Sequence, residues 1–262
     1  MIFTCDGLII AESAVGESDK LLTILTAEHG RIRVSGKGVR SIKSKMMAAT
    51  QLFSYGNYEI YKKGDFYWLR EAYLREAFFG LREDITTLAL ATYICDLASE
   101  MSGPDFAAHD ILRLTLNTLY AISKKDKPLA QIKATYEMRS ALYSGFMPDL
   151  SSCTACRRAE CAHYYLDVMN GCILCEDCAK KRGKLSDVPL SEEDLSTAKI
   201  ICTLDSGALG AMRYVLSSAP ERLLSFALPE DSLAYFSRAC EIYILNHLER
   251  GFDSLDFYKS IS

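Results

Sequence analysis

The sequence predicts an α+β protein: a small N-terminal barrel of five strands, then a helical region interrupted by a cysteine-rich insert. Three observations carry that prediction. Residues 2–14, 20–27, 31–38, 51–62 and 66–75 are rich in Ile, Leu, Val, Thr, Tyr and Phe and are punctuated by Gly16, Gly30 and Gly64. From residue 82 the apolar period changes from two to about 3.6. Six of the chain's ten cysteines lie between Cys153 and Cys178.

The strands come first. Five of them within about 75 residues, separated by hairpin-length gaps such as His29-Gly30 and Lys62-Lys63-Gly64-Asp65, predict an antiparallel sheet closed on itself. Helices follow: Ile85, Leu88, Ala89, Thr92, Leu97 and Met101 share one helical face. Further helices are expected at 105–123 and at 129–144, the latter opened by Pro128 and closed near Gly145. Beyond the cysteines, Ser191 is placed as the N-cap of a helix through about residue 203. Leu233, Phe236, Cys240, Tyr243, Ile244 and His247 then trace one stripe of a final helix ending at Gly251. The expected division is residues 1–80 for the barrel, 81–150 and 185–262 for the two parts of the helical domain, and 151–184 for the insert.

The insert carries the strongest chemical signal. Cys153, Cys156, Cys175 and Cys178 follow the pattern C-x2-C-x18-C-x2-C. Two such knuckles, joined by a ribbon, offer four thiolates to one tetrahedral zinc ion. Four thiolates leave no position for water, so the metal is expected to be structural. Binding worth on the order of 10–16 kcal/mol would decide whether so small a segment folds. Cys172 and Cys175 share the same spacing, and Cys161 with His163 offers further donors. Gly171 before the second knuckle and Lys180, Lys181 and Arg182 after it favour Cys175 with Cys178. The remaining cysteines, Cys5, Cys95, Cys202 and Cys240, sit among apolar neighbours and read as buried thiols.

Composition narrows the function classes. The chain has 262 residues, 49% of them hydrophobic, and a formal net charge of −4. No apolar run approaches the roughly 20 residues that span a bilayer, and the N-terminal segment lacks the basic start and unbroken apolar stretch of a signal peptide. A cytoplasmic protein without membrane contact is expected, which also suits metal-bound rather than disulfide-paired cysteines. No His-x-Glu precedes the cysteines, as a zinc deaminase requires. No phosphate-binding Gly-rich loop or nucleophile elbow is present, and the carboxylates form no recognisable catalytic pair. His109 and His247 read as structural residues on helices. A binding protein is favoured over an enzyme.

Positive charge is local. Residues 1–80 hold 11 Lys and Arg against 9 Asp and Glu, whereas the remainder holds 19 against 25. From His29 to Tyr58 there is no acidic residue, while Arg31, Arg33, Lys37, Arg40, Lys43 and Lys45 supply six positive charges. A phosphate backbone could follow this segment, and a solvated basic surface is the plainer alternative. Arg31 and Arg33 share parity and therefore one face of a strand. Phe66, Tyr67 and Trp68 could stack on bases, but alternation assigns Phe66 and Trp68 to the core.

Several segments together resemble the RecO family of bacterial DNA repair and recombination proteins. They are GESDKLLTILTAEHGRIRVSGKGVR, YEMRSALYSGFMPDLSSCTAC, GCILCEDC, LSFALPE and NHLERGFDSLDF, in that order along nearly the whole chain. The resemblance implies an OB-fold barrel, a helical domain and an inserted zinc ribbon with Cys153, Cys156, Cys175 and Cys178 as ligands. It also implies binding of single- and double-stranded DNA, annealing of complementary strands, and assistance in loading the RecA recombinase. The implied partners are RecR and the C-terminal tail of single-strand-binding protein. The Arg31 to Lys45 segment matches the family's basic barrel region. Cys172 stands where a glycine is common in the family, and Cys161 is additional. The alternative is a zinc-containing interaction adaptor with little direct DNA contact, in keeping with the acidic balance after residue 80.

Overall fold

Alternating apolar residues build the first part of the computed structural model, which describes residues 1–181 and 200–262. The strands are β1 (Ile2–Val15), β2 (Asp19–Thr26), β3 (Gly30–Gly36), β4 (Tyr55–Lys63) and β5 (Phe66–Glu76), closed in the order β1-β2-β3-β5-β4. This is the OB-fold barrel. Four of its interfaces are antiparallel. The fifth, β3 with β5, is parallel through Val34 opposite Tyr67 and Ser35 opposite Trp68. Uniform antiparallel pairing was the expectation, but a ring with an odd number of strands must contain at least one parallel neighbour. Ile9, Leu22, Ile24, Ile32, Val34, Tyr58, Ile60 and Leu69 fill the interior. The Tyr58 hydroxyl donates within it, to the Ala49 and Ser54 carbonyls at 2.9 and 3.2 Å.

Two strand expectations are corrected. The fourth strand begins at Tyr55 rather than residue 51, because Phe53 adopts φ 64° and turns the chain into a loop tied to β1 by reciprocal bonds between Ile9 and the 53–54 backbone. In β5, Phe66 is 69% exposed and Trp68 only half-buried, while Tyr67 and Leu69 pack on the core. Opposite Glu59 and Ile60, β5 presents Glu71 and Leu69 with Arg70 unpaired between them, a bulge that lets both Leu69 and Ala72 turn inward.

Two compact units divide the chain: Met1–Asp126 with Phe252–Ser262, and Lys127–Gly251. In the first, α1 (Ile85–Glu100), α2 (His109–Lys124) and α7 (Asp253–Ile261) accompany the barrel. Asp84 caps α1 by accepting from the Thr87 N–H at 2.9 Å. Lys125, the left-handed C-cap of α2, reaches back to the Asp84 carboxylate at 2.8 Å. The α2 helix starts at His109, not 105. Asp105 has φ 62°, and the Asp105 and Ala108 N–H groups donate to the His29 and Ala27 carbonyls, which holds residues 103–108 against the β2–β3 turn. Gly30 in that turn has φ 61°, and a Cβ there would lie 2.2 Å from the Gly103 carbonyl oxygen. Only glycine fits.

The second unit is built on α3 (Leu129–Tyr143), α5 (Ser206–Ser217) and α6 (Glu230–Leu248) with a three-stranded sheet of β6 (His163–Asp167), β7 (Cys172–Cys175) and β8 (Ile201–Asp205), ordered β7-β6-β8. The short α4 (Glu176–Lys181) follows β7. Charged residues buried on α3 find partners: Lys133 lies 2.9 Å from Glu137 and 2.8 Å from Glu241 of α6. Arg139 donates to the Val215 and Leu216 carbonyls at the end of α5. The helix expected from Ser191 begins outside the described residues. Its end is corrected, because residues 201–205 pair with β6 as a strand. Neither α5 nor α7 was expected. The last helical stripe ends at Leu248 with Glu249 in the left-handed conformation, and Phe252 then leads into α7.

Candidate nucleic-acid interface and metal centre

The knuckles form because the backbone turns each cysteine pair inward. The Arg157 N–H donates to the Cys153 carbonyl at 2.8 Å, and Arg157 takes φ 63° to leave the turn. Thr154 joins this knuckle to β7 by donating its N–H to Ile173 O at 3.0 Å. Gly171, at φ 57°, reverses the chain between β6 and β7, and α4 carries Cys178 back over Cys175. The sulfurs of Cys153, Cys156, Cys175 and Cys178 all lie within 4.8 Å of one another, with Cys156 and Cys175 at 3.6 Å. Four thiolates about one zinc ion stand roughly 3.8 Å apart, given a Zn–S distance of about 2.3 Å. The group therefore fits a metal ion.

Its electrostatics point the same way. Burial pushes the Cys153 thiol up, but N–H groups of Cys175, Cys156 and Ala155 outweigh it and bring its pKa down to about 6. Hydrogen bonding to Cys175, burial, and contacts with Cys156 and Cys153 push Cys178 up to about 12. One thiolate forms readily and opposes the next, which is the condition a bound cation relieves. Arg158, paired with Asp177 at 2.8 Å, adds positive charge at the rim. Cys172, the other donor at matching spacing, instead receives the Thr154 hydroxyl at 3.6 Å. Neither it nor Cys161 belongs to the four-sulfur group among the described residues. The scattered cysteines are buried, as expected, and desolvation raises each thiol, Cys202 to about 11 and Cys5 to about 12. His247 lies between the rings of Phe146 and Tyr243, and burial lowers its pKa.

The basic segment divides into two groups. Arg31 and Arg33 project from the outer face of β3, where Ile32 and Val34 fill the interior. Arg31 donates to the Ser99 hydroxyl of α1 at 2.7 Å, which fixes its guanidinium, while Arg33 is exposed. Both line a cleft of about 310 Å³ with Lys62, Asp65, Tyr67 and Asp105. Lys62 sits 4.8 Å from the centre of the Tyr67 ring and 3.8 Å from Asp105. Lys37, Arg40, Lys43 and Lys45 lie beyond the other end of β3, all exposed. There Arg40 donates to Gly16 O at 3.0 Å, and Asp19 accepts from Gly38 N–H at 2.8 Å, which docks the start of the loop on the β1–β2 turn. Lys62 escaped the sequence reading because it lies outside the acid-free segment. Strand pairing is what brings it beside Arg33.

Among the described residues no helix is long and apolar enough to cross a membrane. Compared with known proteins, residues 1–78 match the family model for the recombination protein O N-terminal domain, and residues 82–201 match that for its C-terminal domain. A protein of Acetivibrio thermocellus named DNA repair protein RecO is 29% identical over 255 residues, covering 97% of this chain and 95% of that one. Proteins of the same name from Alkaliphilus metalliredigens and Caldicellulosiruptor bescii are 25% and 26% identical, over 100% and 97% of both chains respectively.

Proposed function

The chain belongs to the RecO family of DNA repair proteins, and from that premise we propose that it is a non-catalytic recombination mediator of the cytoplasm. In this reading it binds single- and double-stranded DNA, anneals complementary strands and, with RecR, assists loading of RecA onto strands covered by single-strand-binding protein, whose C-terminal tail it engages. The observation that carries the reading is the cleft on the barrel, where Arg31, Arg33 and Lys62 converge beside Tyr67. OB-fold barrels bind oligonucleotides on the face of strands 2 and 3 and on the loop between strands 4 and 5, and this cleft is lined by β3 and by Asp65 of the β4–β5 turn.

Annealing needs two polyanions to approach. Cationic side chains replace condensed counterions along each strand and so lower the repulsion, with no bond made or broken in the protein. Arg31 and Arg33 would hold one backbone in the cleft, and Lys37, Arg40, Lys43 and Lys45 would extend the contact past the β1–β2 turn. Cys153, Cys156, Cys175 and Cys178 would hold one zinc ion, which supplies a cross-link and no reactive position. The functional parts are then residues 1–80 for DNA, 151–184 for the ribbon, and 81–150 with 185–262 for the helical domain.

Fluorescence anisotropy of labelled single-stranded DNA, titrated with the zinc-loaded protein at several salt concentrations and without partners, tests this. Saturable binding with a salt slope of about −4 is expected if six cations contact the strand. Absence of binding at low salt would overturn DNA handling by the barrel and favour an interaction adaptor.

A further inference from the structure

The outer surface of the β4–β5 hairpin carries three aromatic rings that the barrel core does not use. Phe66 is 69% exposed, Tyr61 is 37% exposed and Trp68 is half-buried. Trp68 is central: its ring centre lies 5.7 Å from that of Tyr61 and 5.9 Å from that of Phe66, with interplanar angles of 33° and 34°. Cross-strand pairing sets this array, since Tyr61 is opposite Trp68 and Lys63 opposite Phe66. On its other side Trp68 neighbours Ser35 of β3, two residues from Arg33 on the same outward face.

Leaving such rings in water forfeits the stabilisation that burial would give. Their setting indicates what covers them. Arg33 shares the outward face of β3 with Ser35, Lys63 lies opposite Phe66, and Arg70 follows on the same strand, paired to Glu59 at 2.9 Å. Apolar rings among cations suit a ligand that offers flat π surfaces on an anionic backbone. Unpaired nucleobases have that chemistry, whereas the bases of a duplex are already stacked on one another.

We propose that Tyr61, Phe66 and Trp68 form a stacking platform for the bases of single-stranded DNA. The inference rests on the DNA-binding reading above and deepens it, because it gives the barrel a means of preferring single strands to duplex that cationic side chains alone lack.

Trp68 is the chain's single tryptophan, so its emission reports on the platform directly. The zinc-loaded full chain is titrated with an oligothymidylate and with an abasic oligomer of equal length, binding being followed independently by anisotropy. Quenching of Trp68 by the oligothymidylate but not by the bound abasic strand is expected. Phe66→Ala should weaken oligothymidylate binding by on the order of tenfold, with affinity for the abasic strand, affinity for duplex and the salt slope all unchanged. Phe66→Trp, which keeps an aromatic face, should restore that affinity. Phe66 is exposed, so its replacement leaves the barrel core intact, and Trp68→Phe gives a second variant that retains a ring.

Unchanged emission with the oligothymidylate bound, equal quenching by both strands, or a Phe66→Ala loss that is the same on the abasic oligomer would overturn the platform while leaving DNA binding in place. Failure of the wild-type protein to bind any DNA would overturn both.

Discussion

The barrel and the cysteine ribbon solve the same problem, holding short strands in register, with different means. In the barrel, twelve buried residues from five strands and their connections pack on one another. The ribbon's own cluster is four residues, Cys153, Leu174, Cys175 and Ala179, two of them cysteines of the four-sulfur group. The difference teaches where each region's cohesion comes from: many apolar contacts in one case, and in the other a small cluster beside four sulfurs that could hold a metal ion.

Removing such an ion is the most severe way to break the comparison. Stripping the metal with a chelator, or replacing Cys153 and Cys175 by Ser, should forfeit on the order of 10 kcal/mol of local folding free energy. Limited proteolysis should then cut first within 151–181 while residues 1–76 stay resistant. Metal analysis before chelation should find one zinc per chain. Intact resistance of the ribbon after verified removal would sink the contrast.

A barrel truncation sharpens it from the other side. Ile24→Ala, at a fully buried position, should cost about 3 kcal/mol in denaturant unfolding followed by Trp68 emission, with zinc content unchanged. Distributed contacts weaken by degrees; the metal site should be lost whole.

Removal of positive charge from the cleft comes next in size. Replacing Arg31 and Arg33 together by Ala should flatten the salt slope of single-strand binding by about 1.4, leaving stability within about 1 kcal/mol of wild type. An unchanged slope would place the DNA site elsewhere. The smallest effect concerns a helix outside both regions. Hydrogen bonds from Lys125 and from the Thr87 N–H hold the Asp84 carboxyl down at about 2. Because this pKa is depressed, the stabilisation is fully present above the ordinary carboxylate value near 4 and disappears as pH falls through about 2. Asp84→Ala should cost about 1 kcal/mol near neutrality, with the difference from wild type vanishing in acid.

Much of this was legible in the residues. Period-two alternation and glycine-marked turns located all five barrel strands to within a few residues, and the cysteine spacing named the four sulfurs that the fold brings together. Alternation says which residues share a face, not which face is inside. The bulge at Arg70 shifts that parity, so Phe66 and Trp68 lie outside although Ala72, of the same parity in sequence, lies inside. Strand β8 is five residues with no period of its own, recognisable only through its pairing with β6. Helix α5 carries Gly207 and Gly210, which weaken any propensity signal. It is fixed by Asp205 accepting from the Ala208 N–H at 2.7 Å and by burial of Leu209, Met212 and Val215. Of the proposed DNA site, the six cations stand out in the sequence, but their separation to opposite ends of β3 and the arrival of Lys62 follow from register alone.

Strand β8 has one more implication, for anyone who would trim the protein. Strand β6 lies between β7 and β8, so an excision of residues 151–181 removes both β6 and β7 and leaves β8 without a strand neighbour among the described residues. Its last residue, Asp205, also caps α5, so the bared strand would be held rigidly at the surface rather than melting away. Such an edge is a template for intermolecular pairing. A shortened chain would therefore be expected to self-associate through residues 201–205, and a replacement hairpin, with or without cysteines, would serve first of all as a cover for that edge.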